Sequence, residues 1–256
     1  MKLPNVDRAS FLRDGYVVVE DVLDGIRTEA LIKRIERLLA APPSDISRGA
    51  EQPVYQTEAA VVDDPALRTA EQDNPRVVYG IVRHDDLFQQ TAVSPQVLTI
   101  ARSLLGGGVN IVSNQLLLKP PQYGSPKPLH QDQEYFRVEP LDAVVTCWIA
   151  LDEATEASGC MWYVPGSHEL GLLEHKTIEG KSIHRVPDDP RLGYMEAVCV
   201  PVPAGSCICH HGLTLHRSGP NKTDGWRRAL ALHFMAVGSR VTNPQVTSDL
   251  YLKIDG

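Results

Sequence analysis

No apolar run in this chain of 256 residues approaches the roughly 18 residues that a membrane-spanning helix requires. The opening Met1-Lys2-Leu3-Pro4 lacks the apolar centre of a secretory signal peptide, and the closing Lys253-Ile254-Asp255-Gly256 does not read as a peroxisomal tail. Cytoplasm is therefore the expected compartment. Positive charge is also in short supply: 25 Lys and Arg stand against 32 Asp and Glu, a formal net charge of -7. That balance argues against nucleic acid or an anionic membrane as the main partner and leaves a small molecule as the expected one. Cysteines are few, five in all, and scattered. An odd, dispersed set fits reduced thiols better than a disulfide framework. Cys207-x-Cys209 looks like half of a zinc site but has no second pair near it, and strand alternation would simply put both thiols on one buried face. Internal repeats and low-complexity linkers are missing too, so a single domain over 1–256 is the simpler count.

What is present is ordinary globular composition, 43% hydrophobic and 22% charged. Asp7 can cap a short helix running to Asp14-Gly15, and Tyr16-Val17-Val18-Val19 then reads as a strand. Asp24 caps a longer helix whose Ile26, Ala30, Ile35, Leu38 and Leu39 fall on one side. Residues 42–75 carry turn formers and little periodicity, and read as loops. Ser94-Pro95 opens another helix, which Gly106-Gly107-Gly108 closes. From 109 onward the pattern is β: 109–119, 143–151, 160–164, 198–202, 206–210 and 228–237 are short strand-like runs separated by Pro and Gly. A polar segment at 166–196 interrupts them and could form a lid. The fold class that follows is mainly β with flanking helices, a helical part over about 1–108 leading into a jelly-roll core over about 109–240.

Two His-x-Asp pairs occur. His84-Asp85-Asp86 sits where a helix begins, and a capping carboxylate explains it. His130-Gln131-Asp132 follows a Pro- and Gly-rich loop and leads into Tyr135-Phe136, a strand-edge setting in which residues two apart share a face. Iron(II) that must also bind a co-substrate and dioxygen needs three protein ligands on one side and open positions on the other. His216, in His216-Arg217-Ser218-Gly219-Pro220-Asn221, supplies a third candidate. Eleven residues on, Arg227 opens an apolar strand. An arginine in such a sheet is costly unless it meets an anion, and its planar fork suits the distal carboxylate of a dicarboxylate, with Ser218 able to share it. A surface role like that of its neighbour Arg228 is the alternative.

The sequence resembles the phytanoyl-CoA dioxygenase family of iron(II)/2-oxoglutarate oxygenases. The resemblance is carried by Phe11-Leu12-Arg13-Asp14-Gly15-Tyr16, by Pro128 through Phe136, by Gly159 through His168, and by the segment from His216 to Arg227. It implies a double-stranded β-helix (cupin-like) core. It carries over His130, Asp132 and His216 as iron ligands, and Arg227 with Ser218 as partners of the distal 2-oxoglutarate carboxylate. Trp148 and Gln115 fall at positions lining the co-substrate pocket, and an upstream basic residue of the family corresponds to Arg83. Asp132 stands where related halogenases carry a small residue, so dioxygen chemistry at a C–H bond, with release of succinate and carbon dioxide, is the implied activity. Gln133, Tyr135 and Arg137 are candidate substrate-side residues.

Several assignments compete with this one. Trp162 and Tyr163 read as core, and His168 as a residue ordering its own loop. His210, His211 and His233 rival His216 as third ligand, with at most one of them expected near the site. An acyl-CoA 2-hydroxylase is an alternative, although no basic cluster for coenzyme A phosphates is visible. A zinc hydrolase could use the same three ligands, and a non-catalytic β-barrel binding module would need none of them.

Overall fold

The computed structural model describes residues 3–40, 54–57, 75–178, 181–244, 246 and 251–256. Most of the expected loop at 42–75 therefore lies outside the described residues.

The chain opens with α1 (Arg8–Asp14), which starts where the Asp7 carboxylate accepts from the Ser10 amide and ends at Gly15 in the left-handed region. No other residue fits at Gly15, because a Cβ there would run into Thr214 and His168. After β1 (Tyr16–Val19) comes α2 (Gly25–Ala40), which buries Thr28, Leu31 and Ile35. Then follow β2 (Val54–Thr57), β3 (Pro75–Tyr79), α3 (Ile81–His84), α4 (Asp86–Ala92) and α5 (Pro95–Leu105). The α4 cap is Asp85, which accepts from the Leu87 and Phe88 amides, so the first His-x-Asp is a helix start as read from sequence. The α5 helix has the expected Ser94 cap, first-turn proline and closing Gly106. The remaining elements are β4 (Val109–Lys119), β5 (Lys127–His130), the single turn α6 (Gln133–Phe136), β6 (Val138–Glu139), β7 (Val144–Ala150) and β8 (Met161–Tyr163). Next come β9 (His175–Ile178), β10 (Lys181–Pro187), β11 (Val198–Val200), β12 (Cys207–His211), β13 (His216–Ser218), β14 (Arg227–Ala236) and β15 (Arg240–Val241).

Two sheets face each other. One has seven strands in the order β1-β12-β7-β14-β4-β3-β2 and the other four in the order β11-β8-β13-β5, with every registered pair antiparallel. This is the jelly roll expected from the strand spacing. The split at residue 108 is not a structural seam, because β1, β2 and β3 from the helical part complete the large sheet. The polar segment at 166–196 that interrupts the strands contains the β9–β10 hairpin.

Alternation along the strands of the large sheet sorts side chains to its two faces. Cys147 and Ile149 of β7, Cys207 and Cys209 of β12, and Leu230, Leu232 and Phe234 of β14 join one core with Leu31, Ile35, Ile100, Ala101 and Leu104 of the helices. The paired thiols thus sit on one buried face, with Cys147 beside Cys209. The opposite face carries Trp148, Ala150, Ile208, Ala229 and Ala231, which pack toward the small sheet. The small side chain of Ala231 on β14 lines the cavity described next. Among the described residues, no helix is long and apolar enough to cross a membrane.

Candidate metal centre and co-substrate pocket

Between the sheets lies a cavity of about 460 Å³. It sits in the range of small-molecule sites, and its wall includes His130, Asp132, His216, Ser218, Arg227, Trp148 and Gln115. His130 ends β5 and His216 begins β13, and the two are register partners across the small sheet. Asp132 lies where the chain leaves β5 and enters the first turn of α6. Pairing across two strand ends therefore brings together residues 86 positions apart in sequence.

The three ligand atoms lie within 4.8 Å of one another. His130 Nε2 is 3.8 Å and His216 Nε2 3.6 Å from Asp132 Oδ1. Each imidazole is held from behind, His130 Nδ1 donating to Pro128 O at 2.8 Å and His216 Nδ1 to Thr214 O at 2.9 Å. This fixes the tautomer that leaves Nε2 as a lone-pair donor aimed inward. Asp132 is divided in the same way. Its Oδ2 accepts from Thr146 Oγ1 at 2.6 Å and from His210 Nε2 at 3.0 Å, while Oδ1 faces the two imidazoles. Two neutral nitrogens and one carboxylate oxygen converge on one point, a donor set suited to iron(II) with other positions left open.

Protonation states agree with that geometry. Burial pushes the His216 imidazole down to about 4, with repulsion from His210 adding to it. Burial also drives His130 well below its ordinary value. For Asp132 burial acts the other way, but it is outweighed by His216, by the hydrogen bond from His210 and by the nearby His233, so the carboxyl is held well below its ordinary value. At neutral pH all three are in metal-binding form.

The structure corrects the expectation that at most one rival histidine lies near the site. His210 bonds Asp132 directly and takes a hydrogen bond from Tyr163 Oη on its other nitrogen at 3.0 Å. His233 lies 3.5 Å from Asp132 Oδ2 and bonds Thr146 Oγ1 at 2.9 Å. Neither competes as third ligand: both stand behind the carboxylate rather than in front of it. Face parity carried this signal. If Cys207 and Cys209 face the helices, His210 must face the cavity, and if Arg227 faces inward so does His233, six residues on. Tyr163, expected as core, is core and also braces His210. His211 lies outside the cavity wall, accepting from the Leu213 amide. His168 bonds Leu12 O of the first helix, as a loop-ordering residue does.

Arg227 is 3% exposed and faces inward, its guanidinium 5.4 Å from the centre of the Trp148 ring. Gln115 and Trp148 are both register partners of Ala231, one on each side. Trp148 Nε1, Ser113 Oγ and His233 Nε2 are buried on the cavity side with no hydrogen-bond partner among the described residues. Such groups are what a polar ligand between the sheets would satisfy. Arg228 points the other way, yet it is no bland surface residue. It grips Asp152 through Nε and Nη2 at 2.7 and 2.8 Å.

Three expected site residues are placed elsewhere. Gln133 is fully buried and bonds Val138 and Leu141, stitching the turn after α6. Arg137 is exposed and pairs with Glu134 at 2.7 Å. Arg83 lies exposed on α3, and the basic residues on the wall are Arg76, Lys119, Lys127, Arg185 and Arg217 besides Arg227. Tyr135 alone of the three proposed substrate-side residues lines the cavity. The hairpin β9–β10 supplies His184 and Arg185 to the wall, and Arg185 pairs with the buried Glu134 at 2.7 Å.

A family model described as phytanoyl-CoA dioxygenase matches residues 11–229. Mouse phytanoyl-CoA dioxygenase domain-containing protein 1 is 28% identical over 240 residues, covering 91% of this chain and 82% of that protein. The mouse peroxisomal phytanoyl-CoA dioxygenase is 29% identical over 244 residues, covering 89% of this chain and 67% of that protein. Among solved structures, the epimerase SnoN in complex with Fe3+, alpha-ketoglutarate and nogalamycin RO superposes with a TM-score of 0.73 at 26% identity, over 91% of this chain and 84% of that one. EvdO2 from Micromonospora carbonacea var. aurantiaca gives 0.69 at 26% identity, over 99% and 100%.

Proposed function

We propose, from the premise that this chain belongs to the phytanoyl-CoA dioxygenase family and is an iron(II)- and 2-oxoglutarate-dependent dioxygenase, that His130, Asp132 and His216 hold its iron and that Arg227 with Ser218 takes the distal carboxylate of 2-oxoglutarate. The transformation we assign is hydroxylation, or another oxidation at a C–H bond, of a small organic metabolite.

The observation that carries this reading is the division of labour around Asp132: one carboxylate oxygen held by Thr146 and His210, the other facing two imidazoles whose outer nitrogens are tied to backbone carbonyls. Iron(II) with 2-oxoglutarate and dioxygen supplies the oxidising power, and 2-oxoglutarate leaves as succinate and carbon dioxide. The residues of the chain do the rest. Arg227 offers a planar fork to a carboxylate in a setting where water competes little, and Trp148 forms the apolar wall beside it. Tyr163 and His210 form a chain of hydrogen bonds that fixes the orientation of the Asp132 carboxylate. The hairpin β9–β10 covers part of the cavity and limits solvent around the reacting atoms.

The test is anaerobic. Iron(II) and 2-oxoglutarate added together should give a visible metal-to-ligand charge-transfer band that zinc does not give, and admission of air should release succinate. A protein that binds iron but shows neither band nor succinate would refute the assignment.

A further inference from the structure

We propose that the substrate carries an oxyanion, a carboxylate or a phosphate ester, and that Lys127, set against Tyr135 three residues before His130, is the group that reads it. This rests on the reading above, in which Arg227 and Ser218 serve the co-substrate.

Charge is the first support. Six basic side chains line the cavity, Arg76, Lys119, Lys127, Arg185, Arg217 and Arg227, against two carboxylates, Asp132 and Glu134, among the described residues. Glu134 is already engaged by Arg137 and Arg185. Bound iron(II) and the 2-oxoglutarate dianion cancel each other in formal charge, so loading the enzyme adds no net charge beside these basic side chains. In a chain of net charge -7, a wall whose described residues include more basic than acidic side chains is a local arrangement rather than a reflection of the whole.

The position of Lys127 is the second support. Its ammonium donates to Tyr135 Oη at 3.1 Å and lies 4.9 Å from the centre of that ring. Those contacts hold the side chain on the cavity wall without neutralising it, and no carboxylate lies within ion-pair distance of it among the described residues. Burial, helped by the charge of Arg76 and only partly offset by Asp132, pushes the Lys127 ammonium down to about 8, the cost of holding a cation there. An oxyanion bound against Nζ and the Tyr135 hydroxyl removes that cost. It also lies near His130, whose ring meets Tyr135 edge-on at 5.8 Å. A substrate anchored there presents carbons close to its charged end to the metal.

The experiment uses enzyme loaded with iron(II) and saturated with 2-oxoglutarate under nitrogen, titrated calorimetrically with four probes. Hexanoate is compared with neutral hexanamide, and hexyl phosphate with hexan-1-ol. At least one anion should bind roughly tenfold or more tightly than its neutral partner, and which of the two does so separates a carboxylate from a phosphate substrate. Lys127→Met should abolish that preference and Lys127→Arg should keep most of it, while 2-oxoglutarate affinity, read from the visible band, stays within about twofold of wild type. Lys127→Gln repeats the loss with a polar side chain if the Met variant folds poorly. Wild-type enzyme with a normal band and no anion preference would overturn the proposal. So would a preference that survives Lys127→Met, or a 2-oxoglutarate affinity that falls as far as probe binding, which would assign Lys127 to the co-substrate. Absence of the band in wild-type enzyme would instead refute the co-substrate reading, and this proposal with it.

Discussion

Arg227 and Arg228 are adjacent in sequence, opposite in direction and separable in effect. Arg227 is 3% exposed on the cavity face of β14, where a carboxylate partner would meet it with little solvent screening. Removing one side of such a buried pair costs about 3–5 kcal/mol, so Arg227→Ala should weaken 2-oxoglutarate binding by roughly two to four orders of magnitude. Iron affinity should change little. Arg227→Lys should restore only part of the loss, since an ammonium keeps the charge without the fork. Arg228 gives the complement. Its grip on Asp152 lies on the outer face, reinforced by a backbone bond from the Arg228 amide at 2.8 Å. Arg228→Ala should therefore leave 2-oxoglutarate affinity within about twofold but cost roughly 1–3 kcal/mol of stability, at about 2–4 °C in Tm per kcal/mol for a chain of this size. The assay pairs anaerobic titration of iron-loaded protein, followed by the charge-transfer band, with a thermal melt of each variant. Equal losses of co-substrate affinity at both positions, or none at Arg227, would mean that the distal carboxylate is anchored elsewhere.

Other perturbations probe the rest of the site. Alanine at His130, Asp132 or His216 should abolish 2-oxoglutarate turnover and sharply weaken iron binding with the fold retained, whereas His84→Ala should do neither; the reverse pattern, scored by succinate release and metal content, would select the other His-x-Asp. Thr146→Val should lower iron affinity by roughly ten- to a hundredfold by releasing the outer oxygen of Asp132, and unchanged affinity in a metal-competition assay would show that His210 alone holds it. Stability should also depend on pH through His211, which burial and the neighbouring His168 bring down to about 4. The unfolded chain binds a proton near 6.5 that the fold refuses until about 4, so stability is lost as pH falls through that window. His211→Gln should flatten that slope in melts run from pH 7 to 4.5, and an unaltered slope would locate the effect elsewhere.

Much of this was legible in the sequence because the signals were local. The β4 strand was read at its full length, and the caps at Asp7, Asp85 and Ser94 mark helix starts by chemistry that acts within three residues. What escaped was short or depended on pairing. The β5 strand has four residues, one a proline, and β13 has three, too few for alternation to declare itself. Yet their register is what places His130 opposite His216. The buried task of Gln133 and the outward turn of Arg137 follow from α6 being a single turn, where a strand-like reading would send alternate side chains to the cavity. Arg76 was invisible for a different reason: it lies on a strand whose preceding residues carry little pattern, and its place on the wall comes from β3 joining β4 across the sheet.

The ion pair between Arg185 and Glu134 has a consequence for how such an enzyme could be retooled. Glu134 sits two residues beyond Asp132, in the one helical turn that presents the metal-facing carboxylate. Arg185 sits on the hairpin that contributes to the cavity wall. A new hairpin sequence, whether arrived at by drift or by grafting, can remodel the cavity wall at His184 and its neighbours while the metal centre stays in order, provided a cation besides Arg137 remains to meet Glu134. Without it, a buried carboxylate loses a counter-charge beside the ligand turn, and a change meant for specificity is felt at the metal. Selection for new substrates on this scaffold should therefore leave position 185 basic while the residues around it vary.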